Sequence, residues 1–241
     1  MTNNGMHPVG PPIGTKKSAT FGTDGVRGQA GTVLTPSLVM QLGYWVSYVL
    51  PREGPVLIGQ DSRQSGDMVT AALTAGLTAA GKEVWTVGLC PTPAVPYLIK
   101  TLRAAGGLMV SASHNPPEDN GIKIFDQIGV KIDSEKQLLI ESNLRGKLSS
   151  KNVLPSFMSF GKTYQRHELL ENYQQGLLSS VQDKSLAGVR IVLDLCWGSA
   201  TACGAEVFQS LGADLIVLHG KPDGMRINVG CGSTKLDLLR K

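Results

Sequence analysis

Three short apolar runs constrain this chain more than anything else in it: PVLIGQ at 55–60, KEVWTVG at 82–88 and GGLMVSAS at 106–113. Each is too short for a helix of ordinary length and is separated from the next by a segment of helical length. Thr35 before Pro36 reads as an N-cap followed by proline at the first helical position, and Leu38, Leu42, Trp45 or Val46 and Val49 then recur at helical spacing, so a helix is expected over 36–49. A second runs from Ser65 through Met68, Leu73 and Leu77 to Gly81, read as its left-handed closing residue, and a third over 91–102. Strands alternating with helices across short turns require right-handed crossovers and parallel pairing. The fold class expected is α/β, a mainly parallel mixed sheet flanked by helices.

Beyond 113 the pattern changes. IKIFDQIGVKI at 122–132 reads as a hairpin around Gln127-Ile128-Gly129, followed by a helix near 133–144. RGKLSSKNVLPSFMSFGK at 145–162 has no periodicity and is taken as an inter-domain boundary. From 163 a helix through Leu169, Leu170, Tyr173 and Leu177, the strand VRIVLDL, a helix over 199–211 and the strand ADLIVL start a second βαβ unit. The domains expected are thus a polar tail at 1–19 read as disordered, a first domain at 20–150 and a partial second domain at 163–241.

Composition narrows the function. The tail lacks the apolar stretch of a signal peptide or anchor, and no later run approaches the roughly 20 apolar residues of a membrane span. Lys and Arg number 23 against 19 Asp and Glu, but they are scattered, which favours small anionic ligands over nucleic acid. Cys90, Cys196, Cys203 and Cys231 show no C-x-x-C spacing, so neither zinc nor a disulfide framework is expected and a reducing, cytoplasmic setting is. The string GLTAAGKE at 76–83 has the Gly and Lys positions of a phosphate-binding loop, yet it lies on a helix-to-strand turn, the reverse of what that mechanism needs. GCGSTK at 230–235 lacks dinucleotide-fingerprint spacing, and G-x-S-x-G is absent.

Three polar loops carry the chemistry: FGTDGVRG at 21–28, GQDSRQSG at 59–66 and SASHNPPEDNGIK at 111–123. The last leaves a strand and places Ser113 and His114 on a proline-stiffened loop at the carboxyl edge of a parallel sheet, where open α/β sheets bind ligands. Each loop contributes one cation, Arg27, Arg63 and Lys123. Converging, they would frame an anion around a hydroxyl nucleophile, and fixed charge is what phosphoryl transfer chiefly needs. Arginine offers bidentate phosphate geometry, and lysine a point charge or a proton. Singly, each has a plainer reading: Ser113 and His114 as turn hydrogen-bonders, Arg63 as a surface helix-start residue, Lys123 as a solvated strand residue.

FGTDGVRG, GQDSRQSG, PTPAVPYL, SASHNPPEDNGIKIF and PDGMRINVGCGSTKL together resemble the α-D-phosphohexomutase family from about residue 20 onward, and INVGCGST resembles its glucosamine branch. The resemblance implies interconversion of glucosamine 6-phosphate and glucosamine 1-phosphate through a phosphoserine and a sugar bisphosphate, with a small-molecule hexosamine phosphate as partner. It implies Ser113 as the phosphorylated residue, His114 and Lys123 as carriers of the sugar hydroxyl proton, Arg27 and Arg63 as phosphate-binding, and Mg2+ held by the phosphate on Ser113. It says nothing of oligomeric state.

The chain departs from the family in lacking a D-G-D-x-D-R metal loop, and no Asp-x-Asp-x-Asp cluster occurs in it; Lys235 stands where histidine commonly follows CGST. Family members are about twice this length, so the isolated polypeptide is expected to be inactive. Two alternatives stay open: a non-catalytic fragment that binds a phosphorylated ligand or partner, and a sibling mutase of glucose or mannose phosphates.

Overall fold

The computed structural model describes residues 21–22, 25–145, 159–182, 184–237 and 239. The tail at 1–19 and most of the boundary segment at 145–162 lie outside the described residues. The elements are β1 (Phe21–Gly22), β2 (Gly25–Gln29), α1 (Pro36–Val49), β3 (Val56–Gln60), α2 (Gly66–Ala79), β4 (Val84–Leu89), α3 (Ala94–Leu102), β5 (Gly106–Val110), β6 (Asp119–Phe125), α4 (Ser134–Leu144), β7 (Thr163–Gln165), α5 (Leu169–Ser180), β8 (Arg190–Asp194), a 3-10 turn (Ser199–Ala202), α6 (Gly204–Ser210) and β9 (Asp214–Leu218).

Seven strands form one mixed sheet in the order β1-β2-β6-β5-β3-β4-β7. The junctions β5-β3, β3-β4 and β4-β7 are parallel, and those joining β1, β2, β6 and β5 are antiparallel. The parallel half is the strand and helix alternation read from the sequence. The antiparallel half arises because β6 follows β5 through a loop rather than a helix, which leaves antiparallel return as the short path. The expected hairpin survives as a single Phe125–Lys131 bridge closed by Asp126 and Val130, while the rest of β6 pairs with β5 and β2.

Both faces of the sheet are covered. Val56, Ile58, Leu108, Val110, Ile122 and Ile124 pack with α1, α2 and Ile140 of α4, whereas Leu57, Met109 and Phe125 pack against α3 and against Leu169 and Tyr173 of α5. The Thr35 hydroxyl accepts the Leu38 N–H at 3.3 Å and Asp133 caps α4 by accepting the Lys136 N–H at 2.8 Å, both as sequence capping rules require. Helices α1 and α2 cross so closely that a Cβ on Gly76 would lie 2.0 Å from the Met40 carbonyl oxygen, so the crossing depends on glycine.

Residues 163–165, expected to open the second domain, instead form an edge strand of the first sheet, and α5 packs on α3. Three exposed residues carry no apolar periodicity, so this strand was invisible in the sequence. The second βαβ unit therefore begins later, with β8 and β9 paired in parallel as a two-stranded sheet that leaves Val192 and Ile216 about half exposed. Among the described residues no helix is long and apolar enough to cross a membrane.

Candidate functional site

The chain leaves β5 through Ser111, whose N–H donates to the Gly121 carbonyl at 2.9 Å and whose hydroxyl accepts the Ser113 N–H at 3.0 Å. Ser113 follows with φ +59°, in the left-handed region that a non-glycine residue occupies only when its surroundings hold it there. The turn is closed by the Asn115 N–H donating to the Ala112 carbonyl at 3.2 Å, by Asn115 Nδ2 donating to Asp119 at 2.9 Å and by buried Asn120 donating to Ser65 at 2.9 Å. Ser113 and His114 are exposed, with His114 Nδ1 3.5 Å from the Ser113 hydroxyl, the outer limit of a hydrogen bond.

Arg63 organises this turn from beneath. It is 2% exposed and Asp61 is 3% exposed. Its Nε donates to Asp61 at 3.1 Å, Nη1 to the carbonyls of Pro116 and, at 2.8 Å, Asp119, and Nη2 to the carbonyls of Ser113 at 3.0 Å and Asn115 at 2.8 Å. A guanidinium has five N–H donors, and all five are engaged. The phosphate-binding role expected for Arg63 is therefore corrected: it has no donor left for a ligand and acts by holding the main chain of the serine turn. A buried cation can be retained because four carbonyls and one carboxylate satisfy it.

Arg27 and Lys123 sit on neighbouring strands. Arg27 pairs with Gly121 and Lys123 with Met109, and strand alternation puts both side chains on the face opposite Val26 and Ile122. Gly121 is bonded in turn to Ser111, so Arg27 stands one strand from the origin of the serine turn; a Cβ on Gly121 would come within 2.9 Å of the Arg27 side chain. Both cations are partly exposed on that shared face.

The second segment contributes residues the sequence reading did not single out. A cleft of about 420 Å³ is lined by Ser113 and His114 on one side and by Asp194, Cys196, Asn228, Gly232 and Ser233 on the other. Asp194, at the end of β8, accepts from the Cys196 N–H at 2.9 Å, the Gly232 N–H at 2.9 Å and His219 Nδ1 at 2.7 Å. Burial works to raise its carboxyl, but these three hydrogen bonds outweigh it and hold the group below the usual carboxylate range. Asn228, with φ +63°, donates from Nδ2 to the carbonyls of Ser113 at 2.9 Å and Asn115 at 3.2 Å. The Ser62 hydroxyl donates to the Trp197 carbonyl at 2.6 Å, and Gly224 lies so near Ser62 and Gln64 that a Cβ there would be 2.4 Å from the Gln64 nitrogen. The one signal available in the sequence was asparagine within INVGCGST, a residue type that tolerates left-handed backbone.

Asp194, Cys196 and Cys231 are the described His, Cys, Asp or Glu residues grouped closely enough to hold a metal, with ligand atoms within 4.8 Å of one another. They do not fit magnesium. Two of the three donors are thiols, soft ligands that magnesium does not select, and the carboxylate is already committed to three donors. Burial and the Asp194 carboxylate also push the Cys196 thiol up to about 12.

Residues 18–150 match the family described as phosphoglucomutase/phosphomannomutase, alpha/beta/alpha domain I. The chain is 65% identical over 236 residues to a phosphoglucosamine mutase of Prochlorococcus marinus (strain MIT 9313), an alignment covering 98% of this chain and 50% of that protein. It thus spans about half the length of the curated relatives it matches. Among solved structures, a putative phosphomannomutase from Thermus thermophilus superposes with TM-score 0.75 at 24% identity, covering 93% of this chain and 52% of the other. Aspergillus fumigatus N-acetylphosphoglucosamine mutase, solved with GlcNAc-6P and magnesium, shares the fold at TM-score 0.51 and 14% identity, over 93% of this chain and 45% of that one. With its sheet order, its pinned serine turn and a family match over more than half its length, the chain belongs to the phosphoglucomutase/phosphomannomutase family.

Proposed function

We propose that this chain supplies the nucleophile half of a phosphoglucosamine mutase, which interconverts glucosamine 6-phosphate and glucosamine 1-phosphate. The observation that carries the reading is Ser113, exposed at the carboxyl end of β5 in a left-handed conformation that two buried or half-buried donors hold in place. Such a residue presents its hydroxyl to the cleft from a main chain fixed by those hydrogen bonds.

In this reading Ser113 carries the phosphoryl group and passes it to the free hydroxyl of the sugar phosphate, and the resulting bisphosphate returns its other phosphoryl group to the serine. His114, beside the Ser113 hydroxyl, and Lys123, on the cation-bearing face, move the sugar hydroxyl proton. Arg27 contacts the phosphoserine from the next strand. Arg63 keeps the turn in shape. Magnesium on the phosphoserine would neutralise charge as the phosphoryl group leaves, but among the described residues no group of carboxylates forms its site. The second unit, from β8 onward, closes the cleft from the opposite side.

The test is intact-mass and peptide mapping of the protein taken from cells. A phosphoryl group, about 80 Da, is expected on Ser113 and on no other residue. Its occurrence elsewhere, or its persistence in Ser113→Ala, would overturn the assignment. The 241-residue polypeptide assayed alone with glucosamine 6-phosphate is expected to show no turnover. Removing a single group that stabilises the transition state typically costs about 2.7 to 4 kcal/mol, and the described residues hold no carboxylate cluster for the metal.

A further inference from the structure

We propose that Asn228 is a positioning residue for Ser113, acting through the main chain of the serine turn; the link to turnover rests on the mutase reading above, the structural link does not. Two nitrogens, Asn228 Nδ2 and Arg63 Nη2, each donate to the same two carbonyls, those of Ser113 and Asn115, at 2.9 and 3.2 Å from Asn228 and at 3.0 and 2.8 Å from Arg63. Each nitrogen has two hydrogens and each carbonyl oxygen two lone pairs, so the four groups form a closed square in which every donor and acceptor is used. One donor comes from the loop between β3 and α2 of the first unit and the other from the loop following β9. The square therefore ties the second unit to the residue that bears the nucleophile.

Its chemistry is selective. Only a side chain with two hydrogens on one nitrogen can bridge both carbonyls, which excludes serine, threonine and aspartate. A carboxylate there would set oxygen against oxygen. The left-handed backbone at Asn228 further restricts the position to asparagine or glycine at low cost. The donor is held in place by its own N–H bonded to the Cys196 carbonyl at 3.3 Å, by buried Ile227, and by Asp194 gripping Gly232 and Cys196 on either side. Because Ser113 sits at φ +59°, loss of half the square lets it relax toward ordinary backbone and carries its hydroxyl off the cleft.

The experiment compares the wild-type chain with Asn228→Gly, which keeps the backbone permissive and deletes the amide, and Asn228→Asp, which keeps the shape and reverses the polarity. Hydrogen exchange of the peptide spanning 111–121 is expected to rise at least about fivefold in Asn228→Gly and further in Asn228→Asp at neutral pH, with exchange in β3 and β5 unchanged in Asn228→Gly. Below pH of about 4, where the introduced carboxylate gains a proton, Asn228→Asp should fall back to the level of Asn228→Gly measured at the same pH. In mutase assays on the natural enzyme, kcat should drop about tenfold for Asn228→Gly with KM unchanged, through loss of the two hydrogen bonds that hold the turn. Unchanged exchange in Asn228→Gly, or Asn228→Asp no worse than Asn228→Gly at neutral pH, would overturn the proposal. If Asn228→Asp does not fold, Asn228→Gly decides it alone. A natural enzyme without mutase activity would count against the mutase reading and leave the exchange result standing.

Discussion

Replacing Arg63 tests whether the serine turn is held by a saturated guanidinium or merely by the chain around it. Arg63→Met keeps much of the side-chain length and removes five donors, stranding the Asp61 carboxylate, 3% exposed, without its cation and leaving four carbonyls short of a partner. Summed at about 1.5 kcal/mol per charge-assisted bond the loss would exceed 7, but such bonds share one group and are not additive. Breaking one partner of a buried pair costs about 3–5 kcal/mol, and that is the expected effect. At roughly 2–4 °C per kcal/mol for a chain of this size, the melting point should fall by roughly 6 to 20 °C. Arg63→Lys keeps the charge beside Asp61 but concentrates its donors on one nitrogen that cannot reach carbonyls on both arms, so about half the loss should remain. In a double-mutant cycle, adding Asp61→Asn to Arg63→Met should recover part of it, because the stranded charge is gone. Urea denaturation midpoints of five proteins, wild type, Arg63→Met, Arg63→Lys, Asp61→Asn and the double mutant, provide the measurement. An Arg63→Lys protein within about 0.5 kcal/mol of wild type would refute the fork geometry as the cause.

Ser113→Gly should remove the cost of left-handed backbone, about 1–2 kcal/mol, and so raise stability while abolishing phosphorylation, whereas Ser113→Ala loses phosphorylation with no gain; differential scanning calorimetry separates them. Gly224→Ala should weaken the seat of the second unit on the first by about 1–3 kcal/mol, since its Cβ meets main-chain atoms of Ser62 and Gln64 that cannot turn aside, and faster proteolysis between the units would show it. The Asp194 carboxyl is depressed in the fold, so its contribution is complete above the unfolded value of about pH 3.9 and disappears as pH falls through the lower folded value. Asp194→Asn should therefore flatten the acid limb of a stability-versus-pH curve, and an unchanged acid limb would contradict the hydrogen-bond assignment.

Much of the fold was legible because it is written in local patterns. Thr35-Pro36 set the start of α1, Gly81 at φ +86° closed α2, and Val56–Gln60 lay where an apolar run of strand length predicts. The start of α3 was read three residues early, at Pro91 rather than Ala94, because Pro91 and Pro93 form a turn before the helix. The helix expected over 199–211 divides into a 3-10 turn and α6 at Cys203, whose φ of −152° no side-chain pattern announces. Strand β7 and the antiparallel partners of β6 depend on pairing between residues far apart in the chain, which no local window contains.

The candidate site divides the same way. Residue type and order alone were enough to mark Ser113, His114, Arg27 and Lys123 as reactive or charged groups, since hydroxyl, imidazole and cation chemistry belongs to the side chain itself; but Arg27 and Lys123, read as loop residues, lie inside β2 and β6, because pairing with residues distant in the chain extends those strands through them. Which cation faces a ligand and which is spent inside the protein is a matter of three-dimensional satisfaction, and the packed chain turned Arg63 from a phosphate contact into a brace with every donor engaged. Asn228 became part of the site for the same reason: two carbonyls 113 residues or more away in sequence are brought within 3.2 Å of one amide nitrogen only when both units are folded.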